Sequence, residues 1–320
     1  MAGKMRLFEH TDFDQIVVAT QNHFALPRLT NQIIEKDYYV TEALRIIAQH
    51  LPCEIIFKGG TSLSKGWNLI QRFSEDIDLY VKPDGLGKSA IDRKLKQLRD
   101  AITAHPGLQF LPDESSTIGG FGRCDRFGYS PSFTEINSIA PHVFLEVGTN
   151  SGIYPTETRP ISSYVAEFLR TTGVSLNAED EAPFDMPLLH YRRTFVEKMF
   201  AIHAKVEIFK ETGTPIGGYA RHFYDLWCLA QQPDVPTMLQ SDEYADIKAD
   251  YERISLASFP RGYRQPADMS FANSDALFPA SDLDNILFVE YERQCQALCF
   301  ADYPRWSEVL STFEQLREAL

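Results

Sequence analysis

The chain has 320 residues, a hydrophobic content of 44% and a formal net charge of −13. This length predicts one large or two small domains, and the hydrophobic content is sufficient for a packed core. No apolar run reaches the roughly 18 residues that a membrane-spanning helix requires. The N-terminus lacks the apolar segment of a signal peptide, and the five cysteines are scattered, so we expect a reduced, cytoplasmic protein.

The charge is uneven along the chain. Residues 234–320 contain 16 acidic and 7 basic residues, a net of −9, whereas residues 1–233 contain 28 and 24, a net of −4. A locally basic surface for nucleic acid is therefore compatible with the first two-thirds of the chain. The stretch from Lys88 to Arg99 is the candidate for an electropositive helix, and the alternative is an ordinary solvated helix face.

The first predicted elements lead into a glycine turn. Thr30 is predicted to cap a long helix that extends to Leu51. The apolar run Ile55–Phe57 predicts a buried strand. Gly59, Gly60 and Thr61 follow as a tight turn that opens a helix, where backbone N–H groups and a hydroxyl suit a phosphate.

A second strand, Asp76–Val81, carries two carboxylates. Since alternate side chains of a strand share a face, Asp76 and Asp78 point one way while Ile77, Leu79 and Val81 point into the core. Two carboxylates on one face repel unless a divalent cation lies between them, and Mg²⁺ is typically held by a few carboxylates together with substrate phosphates. The pattern therefore predicts metal-dependent phosphoryl or nucleotidyl transfer.

The remaining elements follow in order. We predict a helix over 88–104, an irregular segment over 107–136 with short strands that form a hairpin or a mobile loop, and a strand over 141–148. Residues 151–160 are predicted to be a linker. Helices are predicted over 186–210, 219–231, 234–258 and 282–319, with a loop over 259–281.

The motif resembles a known superfamily. A Gly-Thr pair, a gap of fourteen residues and Asp-x-Asp are similar to the signature of DNA polymerase β-like nucleotidyltransferases. The fuller strings KGGTSLSK (58–65) and RFSEDIDL (72–79) resemble the AbiEii/AbiGii-type toxins of bacterial type IV toxin–antitoxin systems, which are related to the MenT toxins that modify tRNA 3′ ends. With the later motifs, the resemblance covers about half of the chain.

The resemblance implies an α+β fold: a polymerase β-like core, made of a small mixed sheet with helices, followed by a mainly helical C-terminal region. Residues 1–155 would form the nucleotidyltransferase domain with its N-terminal helices. Residues 156–320 would form a mainly helical domain that contributes Lys198 and Asp225 to the cleft.

Site residues are assigned on the same basis. Asp76 and Asp78 would be catalytic and bind the metal, and Glu146 on the neighbouring strand would be a third ligand, with an edge-strand glutamate as the alternative. The groups expected at the nucleotide are Gly59, Gly60, Thr61, Ser62, Lys65 and Ser74.

Two further residues come from the resemblance alone. Lys198, in a Glu-Lys-hydrophobic context, would neutralise the leaving pyrophosphate, and Asp225, in Arg-x-x-Tyr-Asp-Leu, would hold Lys198 or Arg221 or contact a substrate. Lys205 is the alternative lysine. The ordinary interpretations are an exposed helical lysine and an ion pair between Asp225 and Arg221.

The cluster from Glu35 to Tyr38 also resembles the toxin branch, and its alternative interpretation is a surface charge cluster with a tyrosine packed inward.

The expected activity is transfer of a nucleoside monophosphate from an NTP to an acceptor hydroxyl, with Mg²⁺ or alternatively Mn²⁺. The resemblance implies the tRNA 3′ end as acceptor, inhibition of translation and growth, and a cognate antitoxin as partner. The alternatives are AMPylation of a protein and a non-catalytic nucleotide-binding module. No motif identifies the preferred base.

Overall fold

The computed structural model describes residues 5–74, 76–119, 121–134 and 139–320, and the chain forms two compact units. Unit 1 is drawn from the chain up to Asn68, from Phe73–Thr149 and from Thr156–Leu188. Unit 2 comprises Leu69–Arg72, Asn150–Pro155 and Leu189–Leu320. Each unit therefore combines segments that are separate in sequence.

Unit 1 is built on a mixed sheet that contains the eight strands of the described residues. The strands are β1 Ile55–Lys58, β2 Asp76–Val81, β3 Gln109–Phe110, β4 Ser116–Ile118, β5 Gly122–Gly128, β6 His142–Gly148, β7 Thr156–Ile161 and β8 Phe184–Leu189. Their order is β3-β5-β6-β2-β1-β8-β7, and β4 pairs with β5. Strand β2 runs antiparallel to β1 and parallel to β6, so it is an inner strand with a partner on each side.

Over the described residues, unit 1 also has five α-helices: α1 Phe13–Phe24, α2 Asn31–His50, α3 Gly59–Lys65, α4 Lys88–Thr103 and α5 Tyr164–Thr172. Of these, α2, α3 and α4 contact the sheet. Helix α2 packs against β6 and α4, and α4 packs against β5. The period-two pattern places Ile77 and Leu79 of β2 beside Leu145 and Val147 of β6, all buried. The opposite face of β2 is left for its polar side chains.

Local sequence signals set the helix ends of unit 1. The Thr30 hydroxyl accepts the N–H of Ile33 at 3.3 Å and caps α2, as predicted. Ser163 caps α5 in the same way, accepting the N–H of Ala166 at 3.1 Å. Helix α5 ends at Gly173, whose φ of +73° is a left-handed conformation that glycine adopts without strain.

The charged cluster of α2 is buried, so its interpretation as a surface cluster is wrong. Glu35 is 1% exposed and accepts the N–H groups of Ser132 (2.7 Å) and Phe133 (3.3 Å). Lys36 is 0% exposed and donates to the carbonyl of Ala140 at 2.9 Å. Because these partners are backbone groups, the two side chains fasten the chain before β6 to helix α2.

Unit 2 is helical. Its helices are α6 Tyr191–Thr212, α7 Arg221–Ala230, α8 Asp234–Leu239, α9 Asp242–Ser258, α10 Ser281–Leu298 and α11 Trp306–Leu316. The apolar stripe of α6 is buried at Phe195, Met199, Ile202 and Val206. In the part of the chain that the structure describes, no helix has both the length and the apolar composition to cross a membrane.

The predicted fold class, a mixed sheet with helices followed by a mainly helical region, is confirmed. Two local predictions are wrong. Residues 151–160 were expected to be a linker but include part of β7, and Met186–Leu189, expected to begin a helix, belongs to β8. In the segment 107–136 the structure has β3, β4 and β5, while residues 120, 135 and 136 lie outside the described residues.

Candidate active site

The carboxylates of β2 lie on the accessible face of the sheet. Asp78 is opposite Lys58 of β1 and opposite Glu146 of β6, so these three side chains form a row across neighbouring strands. Asp76, two residues earlier, lies on the same face. Asp76 and Asp78 are half-buried, and Glu146 is exposed. Glu75, between the motif's serine and its first aspartate, lies outside the described residues.

The carboxylate of Asp78 leaves no space for a side chain at Gly59. The φ of this glycine is +77°, a left-handed conformation, and a Cβ at this position would lie 1.9 Å from Asp78 Oδ2. A side chain at residue 59 would therefore meet both backbone strain and a direct clash. The missing side chain lets the Asp78 carboxylate lie against the first residue of α3.

The side-chain hydroxyl groups of the glycine turn, those of Thr61 and Ser62, form hydrogen bonds with other groups of the protein. Thr61 Oγ1 lies 2.6 Å from the Asp76 carbonyl, to which it donates, and 3.0 Å from Ser74 Oγ. Ser62 Oγ donates to the Gly59 carbonyl at 2.9 Å. Thr61 and Ser62 are buried; the Thr61 hydroxyl fastens α3 to β2, and the Ser62 hydroxyl bonds within the first turn of α3. The groups in this turn that suit a phosphate are the backbone N–H groups of the first helical turn, which includes Gly60.

Lys65, a candidate for phosphate contact, lies in an ion pair. Its Nζ is 2.5 Å from Asp37 Oδ1 and 3.4 Å from the Ser162 carbonyl, and its side chain is 6% exposed. The other oxygen of Asp37 accepts the N–H of Tyr164 at 2.9 Å. This arrangement ties α3 to α2 and to the start of α5.

The electrostatic field of the accessible face is negative. Desolvation and the charges of Asp78 and Asp76 raise the pKa of Glu146, while Lys58 lowers it. Desolvation is the largest cause of this shift, and the like charges of Asp78 and Asp76 add to it. A positive ion bound on this face would relieve that repulsion.

The carboxylates of β2 fit a metal site that substrate phosphates would complete. Over the described ranges, no three His, Cys, Asp or Glu side chains are grouped to hold a metal ion on their own. Asp76 and Asp78 supply two carboxylates on one face, which matches Mg²⁺, an ion usually held by one or two carboxylates plus substrate phosphates. Glu146 is adjacent to Asp78 in the sheet but is not part of a preformed three-residue group.

Unit 2 contains a buried cluster around Asp225. Arg72 donates to both carboxylate oxygens, from Nε to Oδ1 at 2.6 Å and from Nη2 to Oδ2 at 2.8 Å. Lys198 Nζ lies 2.7 Å from Oδ2. Asp225 is 0% and Arg72 is 2% exposed. Burial opposes ionisation of Asp225, but Arg72 and Lys198 outweigh it and hold the pKa of this carboxyl well below its usual range.

His222 is the fourth member of this cluster. Its Nδ1 lies 3.2 Å from Lys198 Nζ and 3.6 Å from Asp225 Oδ2. Burial and the charge of Lys198 lower the pKa of His222 to about 3, so the ring is neutral at pH 7. Neutral Nδ1 then accepts a hydrogen bond from Lys198, and Nε2 carries the proton. Burial also lowers the pKa of Lys198, which the charge of Asp225 opposes.

Sequence reasoning identified Lys198 and Asp225 but not their full environment. The contact between them is present, and Lys198 is buried, so the interpretation as an exposed helical lysine is wrong. Lys205, the alternative lysine, lies with its Nζ 5.3 Å from the ring centroid of Tyr219. Arg72 was overlooked as the partner of Asp225, although an arginine between Ile70 and Phe73 is a signal for a buried, paired charge.

The comparisons with known proteins identify the family. A family model described as "Nucleotidyl transferase AbiEii toxin, Type IV TA system" matches residues 43–301, which is most of the chain. The chain belongs to the AbiEii nucleotidyltransferase toxin family. It is therefore a nucleotidyltransferase and a toxin of a type IV toxin–antitoxin system, and such a toxin has an antitoxin as its partner.

Two further comparisons accompany this match. This AbiEii-family chain is similar to the solved structure of MenT4, a nucleotidyltransferase toxin from Mycobacterium tuberculosis H37Rv, with 17% sequence identity and a TM-score of 0.46. The similarity covers 94% of this chain and 95% of that one. No curated protein matches the sequence.

Gly59→Ala should destabilise this AbiEii-family protein more than Gly85→Ala. Both glycines have a left-handed φ, +77° and +75°, so both substitutions meet a backbone cost of about 1–2 kcal/mol. At Gly85 nothing lies within 4 Å of the added Cβ, whereas at Gly59 it meets Asp78, which should add about 1–3 kcal/mol. Urea unfolding followed by circular dichroism measures the difference, and equal losses would contradict the contact.

Lys65→Met should lower the free energy of unfolding by about 3 kcal/mol, because it leaves the carboxylate of Asp37 buried without its cation. The KM for NTP should stay within about twofold, since the amine of Lys65 is already bonded within unit 1. Lys96→Met, at a half-exposed lysine of α4, is the control and should change stability by less than about 0.5 kcal/mol. A rise of tenfold or more in KM with unchanged stability would instead make Lys65 a phosphate ligand.

Arg72→Met should destabilise unit 2 by about 3–5 kcal/mol, because Asp225 loses a buried bidentate partner. Arg253→Met, at an exposed arginine of α9 paired with Asp250, should cost less than about 1 kcal/mol. Denaturant unfolding of both variants provides the comparison. Similar losses in the two variants would show that the Arg72 pair contributes little.

Proposed function

We propose that this AbiEii-family protein transfers a nucleoside monophosphate from an NTP to an acceptor hydroxyl, and that the acceptor is the 3′ end of tRNA. The observation that carries the chemistry is the position of Asp76 and Asp78. Both lie on the accessible face of an inner strand, and Asp78 lies against Gly59, the residue that opens α3. Carboxylates beside a glycine turn are suited to binding a metal-bound triphosphate.

The metal in this proposal is Mg²⁺, with Mn²⁺ as a substitute of similar ligand preference. Asp76 and Asp78 would hold it, and Glu146, next to Asp78, would be a third ligand. When bound, the ion would neutralise phosphate charge and lower the barrier to displacement at phosphorus. The charges of Asp78 and Asp76, which add to the effect of desolvation in raising the pKa of Glu146, support a face that gains from a cation.

The reaction in this proposal is an in-line displacement. The acceptor oxygen attacks the α-phosphorus, and the bond from that phosphorus to the pyrophosphate oxygen breaks. Backbone N–H groups of the first turn of α3, at Gly60 and Thr61, would bind the phosphates. The side-chain hydroxyls of this turn are already hydrogen-bonded within the protein, that of Thr61 to the Asp76 carbonyl and that of Ser62 to the Gly59 carbonyl.

In this proposal the ammonium group of Lys198 neutralises the negative charge that develops on the leaving pyrophosphate. Asp225 keeps the ammonium in place at 2.7 Å and favours its charged form. Arg72 holds Asp225 from the other side, so Arg72 is a positioning residue in this scheme. The division into a nucleotidyltransferase domain over 1–155 and a helical domain over 156–320 that supplies Lys198 and Asp225 remains part of the proposal.

The tRNA acceptor rests on the resemblance to toxins that modify tRNA 3′ ends. A nucleotide added there would block aminoacylation and so arrest translation, which fits a toxin acting in the cytoplasm. Helix α4 does not add support, because three of its cations have acidic partners: Lys94 pairs with Glu54, Lys96 with Asp92, and Arg99 with Asp100. This favours the solvated helix face over the nucleic-acid surface.

Purified protein incubated with Mg²⁺ and each α-³²P-labelled NTP should label total tRNA with a preference for one NTP. Asp76→Asn should reduce labelling by at least about a hundredfold, because a metal ligand is lost. Asp84→Asn, at an exposed turn after β2, is the matched control and should label normally. Circular dichroism of both variants checks that folding is retained.

The acceptor is tested in parallel. Periodate oxidation of the tRNA 3′ terminus should abolish labelling if the 3′-hydroxyl is the acceptor, and total cell protein should stay unlabelled. Label on protein rather than tRNA would replace the proposal with AMPylation. Binding of NTP with no label on either acceptor would favour the non-catalytic nucleotide-binding module, and full activity of Asp76→Asn would reject the metal assignment.

A further inference from the structure

The accessible face of the sheet continues from β2 across β6 to β5. The register pairs Asp76 with Phe144 and Phe144 with Arg126, and residues that lie opposite each other on neighbouring strands share a face. These three side chains form a second row beside the row that contains Asp78 and Glu146. All three are half-buried, whereas the residues that alternate with Arg126 along β5, at positions 125 and 127, are buried. Arg126 is therefore part of the same open face as the carboxylates of β2.

Arg126 is held on this face by uncharged groups. Its guanidinium carbon lies 4.4 Å from the centre of the Phe144 ring, which is a cation–π contact. Its Nη1 donates a hydrogen bond to the backbone carbonyl of Glu114. A guanidinium has five N–H donors, and over the described ranges this carbonyl is the one protein acceptor of the Arg126 side chain. Most of its hydrogen-bonding capacity therefore remains for a ligand.

Two nearby arginines differ from Arg126 because each is paired with an acid. Arg123, on the other face of β5, is buried and donates to both carboxylate oxygens of Asp125 at 2.9 and 2.8 Å. Arg99 of α4 also stacks on an aromatic ring, at 5.1 Å from its centre, but its Nη2 lies 2.5 Å from a carboxylate oxygen of Asp100. In the part of the chain that the structure describes, no carboxylate forms an ion pair with Arg126. Its positive charge is therefore available to an anionic ligand.

The direction of the proposed reaction decides which substrate lies near Arg126. The glycine turn that would hold the phosphates begins at Gly59, directly after β1, which lies on one side of β2; β6 and β5 lie on the other side. In an in-line displacement, the attacking and leaving oxygens are on opposite sides of the phosphorus. With the pyrophosphate at α3 and the α-phosphorus over the carboxylates of β2, the acceptor approaches across β6 and β5. Two strand spacings of about 4.8 Å separate β2 from β5, so Arg126 lies close to the reacting end of the acceptor.

We propose that Arg126, supported by the ring of Phe144, binds a backbone phosphate of an RNA acceptor close to its 3′ end and so places the terminal hydroxyl for attack. This inference rests on the proposed nucleotidyl transfer. A phosphodiester has one negative charge and two free oxygens, which a guanidinium accommodates with two parallel hydrogen bonds. Because the contact is with the backbone, it fixes the position of the strand without reading its bases.

The first test measures binding of the acceptor apart from its modification. The full chain is titrated, without NTP, into an RNA oligonucleotide that has the sequence of a tRNA 3′ end and a fluorophore at its 5′ end, and binding is followed by fluorescence anisotropy. Arg126→Met should weaken binding by about tenfold and reduce the slope of log K against log salt concentration by about 0.7, the value for one phosphate contact with a single strand. Arg126→Lys keeps the charge and should retain most of the slope. Arg99→Met, which removes a stacked but paired arginine, is the matched control and should change neither quantity.

A second test identifies the phosphate that Arg126 binds. Each linkage of the oligonucleotide in turn is replaced by a methylphosphonate, which removes the negative charge. At one linkage near the 3′ end, the replacement should weaken binding to the unsubstituted protein by about tenfold and leave binding to Arg126→Met unchanged. At the other linkages, the replacement should have equal effects on the two proteins. In the labelling assay, Arg126→Met should raise the KM for the RNA about tenfold and leave the KM for NTP unchanged.

Additive effects of Arg126→Met and the methylphosphonate at every linkage would overturn the proposal, because the arginine and a phosphate would then act independently. Equal weakening by Arg126→Met and Arg99→Met would overturn it as well, and so would the absence of RNA binding by the unsubstituted protein, the result expected if the acceptor is a protein. RNA binding that depends on Arg126, without transfer of label from any NTP, would instead count against the proposed function and support the contact. Circular dichroism of the variants separates these outcomes from misfolding.

Discussion

The pairing of β2 with a strand on each side is the constraint on which the candidate active site depends. Hydrogen bonds to β1 and β6 fix its register, and that register decides which side chains meet. A slip of one residue would turn Asp76 and Asp78 into the core and expose Ile77 and Leu79. The two carboxylates remain accessible because the apolar side chains that alternate with them, Ile77 and Leu79, are buried on the other face of the sheet.

Unit 2 contains a buried cluster of charged side chains, whereas the carboxylates of β2 in unit 1 remain accessible. Its central carboxylate, Asp225, is compensated by a guanidinium and an ammonium, and the neutral ring of His222 accepts a further hydrogen bond. Removing two or more ions from water is costly, so such a cluster is stable only when every member is paired. Its geometry is consequently stiff.

The short-range features of the sequence predicted much of the first unit. Alternation of polar and apolar residues at 76–81 identified β2 and the shared face of its carboxylates, and Thr30 identified the start of α2. The run Met186–Leu189 was assigned to a helix because it is short, apolar and continuous with the amphipathic pattern of α6, which periodicity alone cannot separate.

The features that could not be predicted from the sequence depend on contacts between residues that are far apart in the chain. Lys36 and Glu35 are charged, and charge alone indicates exposure; their partners, near Ala140 and Ser132, lie about a hundred residues away. Arg72 and Asp225 are 153 positions apart. A local pattern carries no information on which distant backbone carbonyl or carboxylate will compensate a given charge.

The position of Arg72 in the chain limits how the protein can be divided. Leu69–Arg72 belongs to unit 2, although the residues on either side of it belong to unit 1. A fragment that begins at Leu189 would include Lys198, His222 and Asp225 but not their guanidinium partner. The helical region is thus not an independent C-terminal module: truncation at the apparent boundary would leave a half-compensated carboxylate at its centre, and unit 2 is complete only when Leu69–Arg72 and Asn150–Pro155 are present.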